Sequence, residues 1–114
     1  MFKTLKEGQQ WIESVEKFGE KYDLIRMENA CEMLDNPQNK FKSIHIGGTN
    51  GKGSTLTFLK HILLESGYSV GTYTSPYIVH FNERITLNDD QIDDKTLLNY
   101  VNKIYTLQAR YKDV

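Results

Sequence analysis

Nine consecutive residues, Gly47-Gly48-Thr49-Asn50-Gly51-Lys52-Gly53-Ser54-Thr55, carry the most distinctive chemistry in this sequence. Glycines let a backbone wrap an anion with its N–H groups turned inward, and a helix that begins there adds a dipole favourable to negative charge. A single lysine in such a turn supplies a point charge for the outer phosphates. The pattern points to nucleoside triphosphate binding by Gly48, Thr49, Asn50, Gly51, Lys52, Gly53, Ser54 and Thr55, with Lys52 as the catalytic candidate. The strict form G-x-x-x-x-G-K-[ST] fails at two places, because Ile46 stands five before Gly51 and Gly53 follows Lys52. The bland alternative is a glycine turn with Lys52 in solvent. Context favours phosphate, since an apolar strand precedes the turn and an amphipathic helix follows it directly.

Those elements follow from periodicity. Phe41 to Ile46 is expected to be a strand, Thr55 to Glu65 a helix with the apolar stripe Leu56, Leu59, Ile62 and Leu63, and Tyr68 to Thr74 a second strand. Gly67 is the expected C′ residue of that helix. Ser43 to Tyr73 has the length of one right-handed βαβ unit. Upstream, Trp11, Ile12, Val15 and Phe18 repeat at helical spacing, as do Leu24, Met27, Cys31 and Leu34. Gly19 separates these two helices and Asn36-Pro37 ends the second. Thr74 to Arg84 is a loop and Ile85-Thr86-Leu87 a short extended segment. Asp93 or Asp94 caps a final helix carrying Leu97, Leu98, Val101, Ile104, Tyr105 and Gln108.

The departures from the strict phosphate motif are themselves informative. GTNGKGST after I-H-I-G resembles the phosphate loop of folylpolyglutamate synthases and bifunctional dihydrofolate synthases, members of the Mur ligase superfamily. Thr74-Ser75-Pro76-Tyr77, followed by Phe81-Asn82-Glu83-Arg84-Ile85, resembles the family's TSPH…FNERI loop. Lys17-Phe18-Gly19 and Leu24-Ile25-Arg26-Met27 resemble its N-terminal K-F-G and L-x-R-M elements. The likeness runs essentially from end to end, with separated motifs in the right order.

The resemblance implies an ATP-dependent amide ligase. The γ-phosphate of ATP would pass to a carboxylate of dihydropteroate or folate, and the amino group of L-glutamate would displace phosphate from the acyl phosphate. Such chemistry demands charge neutralisation and close positioning of three substrates. Lys52 would bridge the β and γ phosphates. Mg2+ would be held at Ser75, which matches the serine of the family's TSP loop, with Ser54 or Thr55 nearer the phosphates. Helix N-capping is the competing role for Ser54. The substrate-facing loop would comprise Thr74, Ser75, Pro76, Tyr77, Phe81, Glu83 and Arg84. Tyr77 stands where many relatives have histidine, which favours stacking or packing over a proton or metal role there.

Other conspicuous residues carry less. His80 is expected on the surface of the loop, and His45 packed or hydrogen-bonded in its strand. Cys31 and Trp11 are expected in the core. The run Asn88 to Asp94 fits no calcium loop, and capping explains its acidity. Arg26 is either a surface charge or a support for the phosphate loop.

Composition sets the frame. A chain of 114 residues suits one domain with a modest core. A net charge of −1, with both signs interspersed, gives no footprint for nucleic acid or an anionic membrane. The single cysteine makes no internal disulfide, the N-terminus has no secretory h-region, and no apolar run approaches a membrane span. A soluble cytoplasmic α/β domain is expected.

The resemblance implies more specifically the N-terminal part of a P-loop, mostly parallel-sheet ATPase domain with flanking helices, an incomplete three-layer α/β/α arrangement. In that division, 1–40 is a helical lead-in, 41–74 the strand, phosphate loop, helix and strand, 75–92 the substrate and metal loop, and 93–114 a helix. Family members are several-fold longer and carry a C-terminal glutamate-binding domain, an acidic metal ligand, a histidine and a carbamylated lysine that have no counterpart here. The expectation is therefore a truncated piece without ligase activity alone, whose open sheet edges and apolar helix faces self-associate. The alternatives are another P-loop NTPase, or a non-enzymatic nucleotide- or pterin-binding module derived from such a ligase.

Overall fold

The computed structural model describes residues 1–18, 24–48, 50–75 and 78–110. Gly19, expected to separate the first two helices, lies outside them, as do Thr49, Pro76 and Tyr77 of the expected sites. The chain divides into two units, Met1–Ser43 with Lys95–Val114, and Ile44–Asp94.

The first unit is helical. Helix α1 spans Leu5–Phe18. The Thr4 hydroxyl accepts from the Glu7 N–H at 3.3 Å, and the Glu7 carboxylate accepts from the Lys3 N–H at 3.3 Å, so one first-turn donor and one just ahead of the helix are satisfied. Helix α2 spans Ile25–Met33 and is followed by a 3-10 turn at Pro37–Asn39, entered through Asn36 in the left-handed region. Asn36-Pro37 thus closes the second helix where the sequence placed the stop. The expected apolar stripe of α2 is only partly covered: Cys31 and Leu34 are half-buried, while Leu24 and Met27 are exposed. Cys31 is therefore not a core residue.

The long final helix, α4, begins at Asp94 and ends at Arg110. Its Leu97 and Val101, one helical turn apart, are 4 % and 5 % exposed and form the centre of this unit. Gly8 of α1 lies against Val101 so closely that a Cβ there would sit 2.9 Å from the Val101 Cγ1. Phe2, Trp11 and Tyr105 cluster beside this contact, with Trp11 and Tyr105 edge-on at 5.2 Å between ring centroids. The Asn102 side chain holds Phe2 from both sides, accepting from its N–H at 2.8 Å and donating to its carbonyl at 3.0 Å. Trp11 is accordingly a packing residue.

The second unit is built on helix α3, Lys52–Glu65, which starts three residues earlier than the apolar stripe suggested. Its C-terminus closes on Gly67 at φ +90, with the Gly67 N–H bonded to the Leu64 carbonyl and the Tyr68 N–H to the Leu63 carbonyl. This is the Schellman arrangement expected of a C′ glycine. A three-stranded sheet follows, with strands β1 (Gly71–Tyr73), β2 (Ile85–Leu87) and β3 (Asp90–Gln91) in the order β1-β2-β3. Both pairings are antiparallel, Thr72 opposite Thr86 and Leu87 opposite Asp90 among them. The Thr72 and Thr86 hydroxyls are bonded to each other across the first ladder.

Three expectations are corrected here. The parallel pairing of a βαβ unit is not made among the described residues, because β1 pairs instead with the segment that follows it. The expected strand Phe41–Ile46 has no ladder among the described residues, and Phe41 and Ile44 are exposed. A parallel strand of this apolar type is stable only with neighbours on its edges and cover on its faces, and the described residues supply neither. His45, expected packed or bonded within that strand, is exposed with it.

Candidate functional site

Two backbone turns make the phosphate segment possible. Gly48 has φ +137 and Gly51 φ +77, regions that L side chains rarely adopt. Gly51 is the N-cap of α3, and the Thr55 N–H bonds back to its carbonyl at 2.9 Å. Lys52, Gly53 and Ser54 are therefore the first three residues of the helix, whose N–H groups have no acceptor within it. No side chain caps this end. Ser54 sits inside the first turn and not at the N-cap, so the competing role considered for its hydroxyl is excluded by position. Asn50, Gly51, Lys52, Gly53, Ser54 and Thr55 are all exposed. A helix dipole and three inward-available donors meet a lysine there, which is an arrangement suited to an anion.

The loop that follows β1 is held more tightly. At its base the Thr74 N–H donates to the Arg84 carbonyl at 2.8 Å. A 3-10 turn, Phe81–Arg84, occupies its end. The Glu83 carboxylate accepts three backbone N–H groups, from Ile78 at 3.0 Å, Val79 at 2.9 Å and His80 at 2.7 Å. These bonds, that to His80 foremost, hold its pKa below the usual glutamate value. The Arg84 guanidinium lies 5.1 Å from the centre of the Phe81 ring, and its Nη1 donates to the Tyr73 hydroxyl at 3.4 Å.

Asn82 is the residue that sequence reasoning passed over. Its side chain is 9 % exposed, and its Nδ2 donates to the Ile92 carbonyl at 2.8 Å and to Asp94 Oδ1 at 2.9 Å. It pins the 3-10 turn to the segment leading into α4. An amide between Phe81 and Glu83 in a polar loop carries no sign of burial in its spacing, so only the fold exposes this role.

Of the expected substrate loop, the structure brings Thr74, Phe81, Glu83 and Arg84 together, with Tyr73 beside them, while Ser75 is exposed. His80 is exposed, as expected, although its N–H is bound by Glu83. Among the described residues no cluster of three His, Cys, Asp or Glu side chains is poised for a metal ion. The hydroxyl-bearing residues Ser54 and Thr55 are exposed in the first turn of α3. They suit a Mg2+ that keeps waters and takes its charge balance from phosphates. No described helix is long and apolar enough to cross a membrane.

No family model matches the chain. Individual proteins do. The dihydrofolate synthase/folylpolyglutamate synthase of Bacillus subtilis is 44 % identical over 104 residues, which is 91 % of this chain and 24 % of that protein. The folylpolyglutamate synthase of Lacticaseibacillus casei is 42 % identical over 91 residues, 80 % of this chain and 21 % of its own length. Among solved structures, the folylpolyglutamate synthetase from Lactobacillus casei superposes with a TM-score of 0.80 at 37 % identity, over 96 % of this chain and 28 % of that one. An FPGS–AMPPCP–folate complex gives 0.81 at 37 % identity, over 94 % and 27 %. The chain thus spans about a quarter of the length of the relatives it matches. Sequence and backbone agree over nearly all of its residues, and the chain is homologous to the N-terminal part of the folylpolyglutamate and dihydrofolate synthases.

Proposed function

We propose that these 114 residues supply the triphosphate loop and one substrate wall of an ATP-dependent ligase that joins L-glutamate to dihydropteroate or folate through an acyl phosphate. The observation that carries this is the 44 % identity over 91 % of the chain. Support comes from GTNGKGST at the uncapped start of α3 and from a related structure that holds AMPPCP and folate. Lys52 then neutralises the β and γ phosphates during transfer, while the amides from Asn50 to Ser54 hold the phosphate chain. Thr49, Asn50, Gly48, Gly51, Gly53 and Thr55 complete the cradle. Ser75, with Ser54 near the phosphates, would hold Mg2+, which would supply positive charge to the phosphoryl oxygens. Thr74, Ser75, Phe81, Glu83 and Arg84 belong to the loop that takes the pterin, to which the sequence also assigns Pro76 and Tyr77, outside the described residues.

In the whole protein the division 1–40, 41–74, 75–92 and 93–114 falls within the ATP-binding domain, and glutamate is held by a separate C-terminal domain. The sheet there is mostly parallel and covered on both faces, and Phe41–Ile46 gains its ladder from strands outside these residues. Catalysis belongs to that larger assembly, in the cytoplasm. The 114-residue chain mixed with Mg-ATP, dihydropteroate and glutamate is expected to form no ligated product, and product formation would reject the division of labour.

The test of the site is a thermal melt with and without Mg-ATP. At about a hundred times the dissociation constant, ligand adds about 2.7 kcal/mol of stability, a shift of several degrees for a domain of this size. Lys52→Ala is expected to abolish the shift without lowering the unliganded melting temperature. A shift that survives Lys52→Ala would remove this lysine from the phosphate site.

A further inference from the structure

Residues 78–80, directly ahead of the 3-10 turn, are held by something other than packing. Ile78 is 90 % exposed and Val79 68 %, so their side chains bury too little to fix a loop. Three successive N–H groups nevertheless converge on one anion. Ile78 donates to Oε1 of Glu83, and Val79 and His80 both donate to Oε2. The Glu83 N–H in turn donates to the His80 carbonyl at 3.0 Å, so the contact is reciprocal. Successive amides of this kind form a concavity suited to an external anion. Here the chain fills it with its own carboxylate.

We infer that Glu83 is a positioning residue: with its carboxylate engaged by the Ile78, Val79 and His80 amides, it fixes the 78–84 segment that presents Phe81 and Arg84, and it contacts neither substrate nor metal itself. The functional part of this rests on the proposal that the loop faces substrate. The engagement of both oxygens stands without it. An ionised carboxylate only accepts, whereas a glutamine amide brings two donors of its own toward three others. On the opposite side of the turn Asn82 is fixed to Ile92 and Asp94, and the Thr74–Arg84 bond closes the base. Glu83 thus secures residues 78–80, which neither bond reaches.

The charged groups around the carboxylate are His80 on the same turn, Arg84 beside it and Asp94 beyond Asn82. The test is a pH titration of the 15N-labelled 114-residue chain by NMR, following the amide protons of Ile78, Val79 and His80, with Glu83→Gln and Glu83→Asp in parallel. The three amides are expected to move together with one midpoint below the ordinary glutamate range. In Glu83→Gln that midpoint vanishes and exchange at these amides rises about tenfold or more, while α4 amides keep their protection. Glu83→Asp, which keeps the charge on a shorter stem, recovers the titrating signature with part of the protection. Amides that ignore the carboxylate, or stay protected in Glu83→Gln with α4 intact, would overturn the assignment. If Glu83→Gln unfolds the chain, the titration of the unsubstituted protein decides alone. No nucleotide or folate enters the experiment, so its failure is separate from failure of the proposed function.

Discussion

Gly8 leaves no room for a methyl group, because the nearest atom to a new Cβ is Cγ1 of a buried, β-branched valine that cannot rotate away. Overpacking of this kind costs about 1–3 kcal/mol, against which the better helix propensity of alanine returns at most ~1. Gly8→Ala should therefore melt several degrees lower, and an unchanged melt would show that α1 shifts freely on α4. Gly51 is constrained by backbone and not by neighbours: nothing lies within 4 Å of a built Cβ, yet its φ is +77. Gly51→Ala should cost about 1–2 kcal/mol and weaken any Mg-ATP shift, since strain falls on the turn itself. Glu83 contributes by ionisation. Its folded pKa lies below the ordinary glutamate value, so its contribution is fully present above that value and is lost as pH falls through the lowered one. The loop amides should accordingly lose protection in acid before the helices do.

Among the elements, the β2–β3 hairpin depends on its turn. Asn88 has φ +57, its N–H donates to the Val70 carbonyl at 2.6 Å, and its Oδ1 accepts from the Val70 N–H at 2.9 Å. Asparagine tolerates this conformation and closes the bonds at once. Asn88→Gly should keep the turn but lose the side-chain acceptor, at about 1 kcal/mol, while Asn88→Ala adds backbone strain and roughly doubles the loss on chemical denaturation. Next to this turn Lys60 of α3 meets Asp89 at 3.1 Å, with the lysine side chain only 13 % exposed. The pair ties the helix that carries Lys52 to the hairpin. The elements legible in the sequence were those with local causes: the α4 stripe, the Gly67 cap and the Asn36-Pro37 stop. The antiparallel partner of β1 had no local cause. Tyr68 to Thr74 reads as a strand in either sheet, and pairing is decided by which neighbour reaches its edge.

At the scale of the molecule, the uneven burial is the main fact. Leu97 and Val101 are enclosed, whereas Phe58, on the helix expected to flank a sheet, is 71 % exposed, with Phe41, Ile44 and Ile62 also open. Phe58 and Ile62 stand one turn apart on α3, so their exposure makes a patch and not isolated surface residues. The 114-residue chain should self-associate at tens of micromolar, seen as concentration-dependent sedimentation. A monomer at every concentration would mean that these side chains find cover within the chain in solution.

What the sequence determined alone were the features set by neighbours along the chain. The glycine-rich turn before α3, the Asn36-Pro37 and Gly67 helix stops, and the order of the Thr74-Ser75 and Phe81-Asn82-Glu83-Arg84-Ile85 motifs could be read from residue types and spacing, whereas the start of α3 at Lys52 could not. The tertiary structure alone decided three things. It paired β1 with β2, it buried Asn82 between Ile92 and Asp94, and it turned Glu83 inward onto three backbone amides. Each depends on groups brought together by folding, and a carboxylate that looks ready for a ligand is satisfied only once the chain has curled around it.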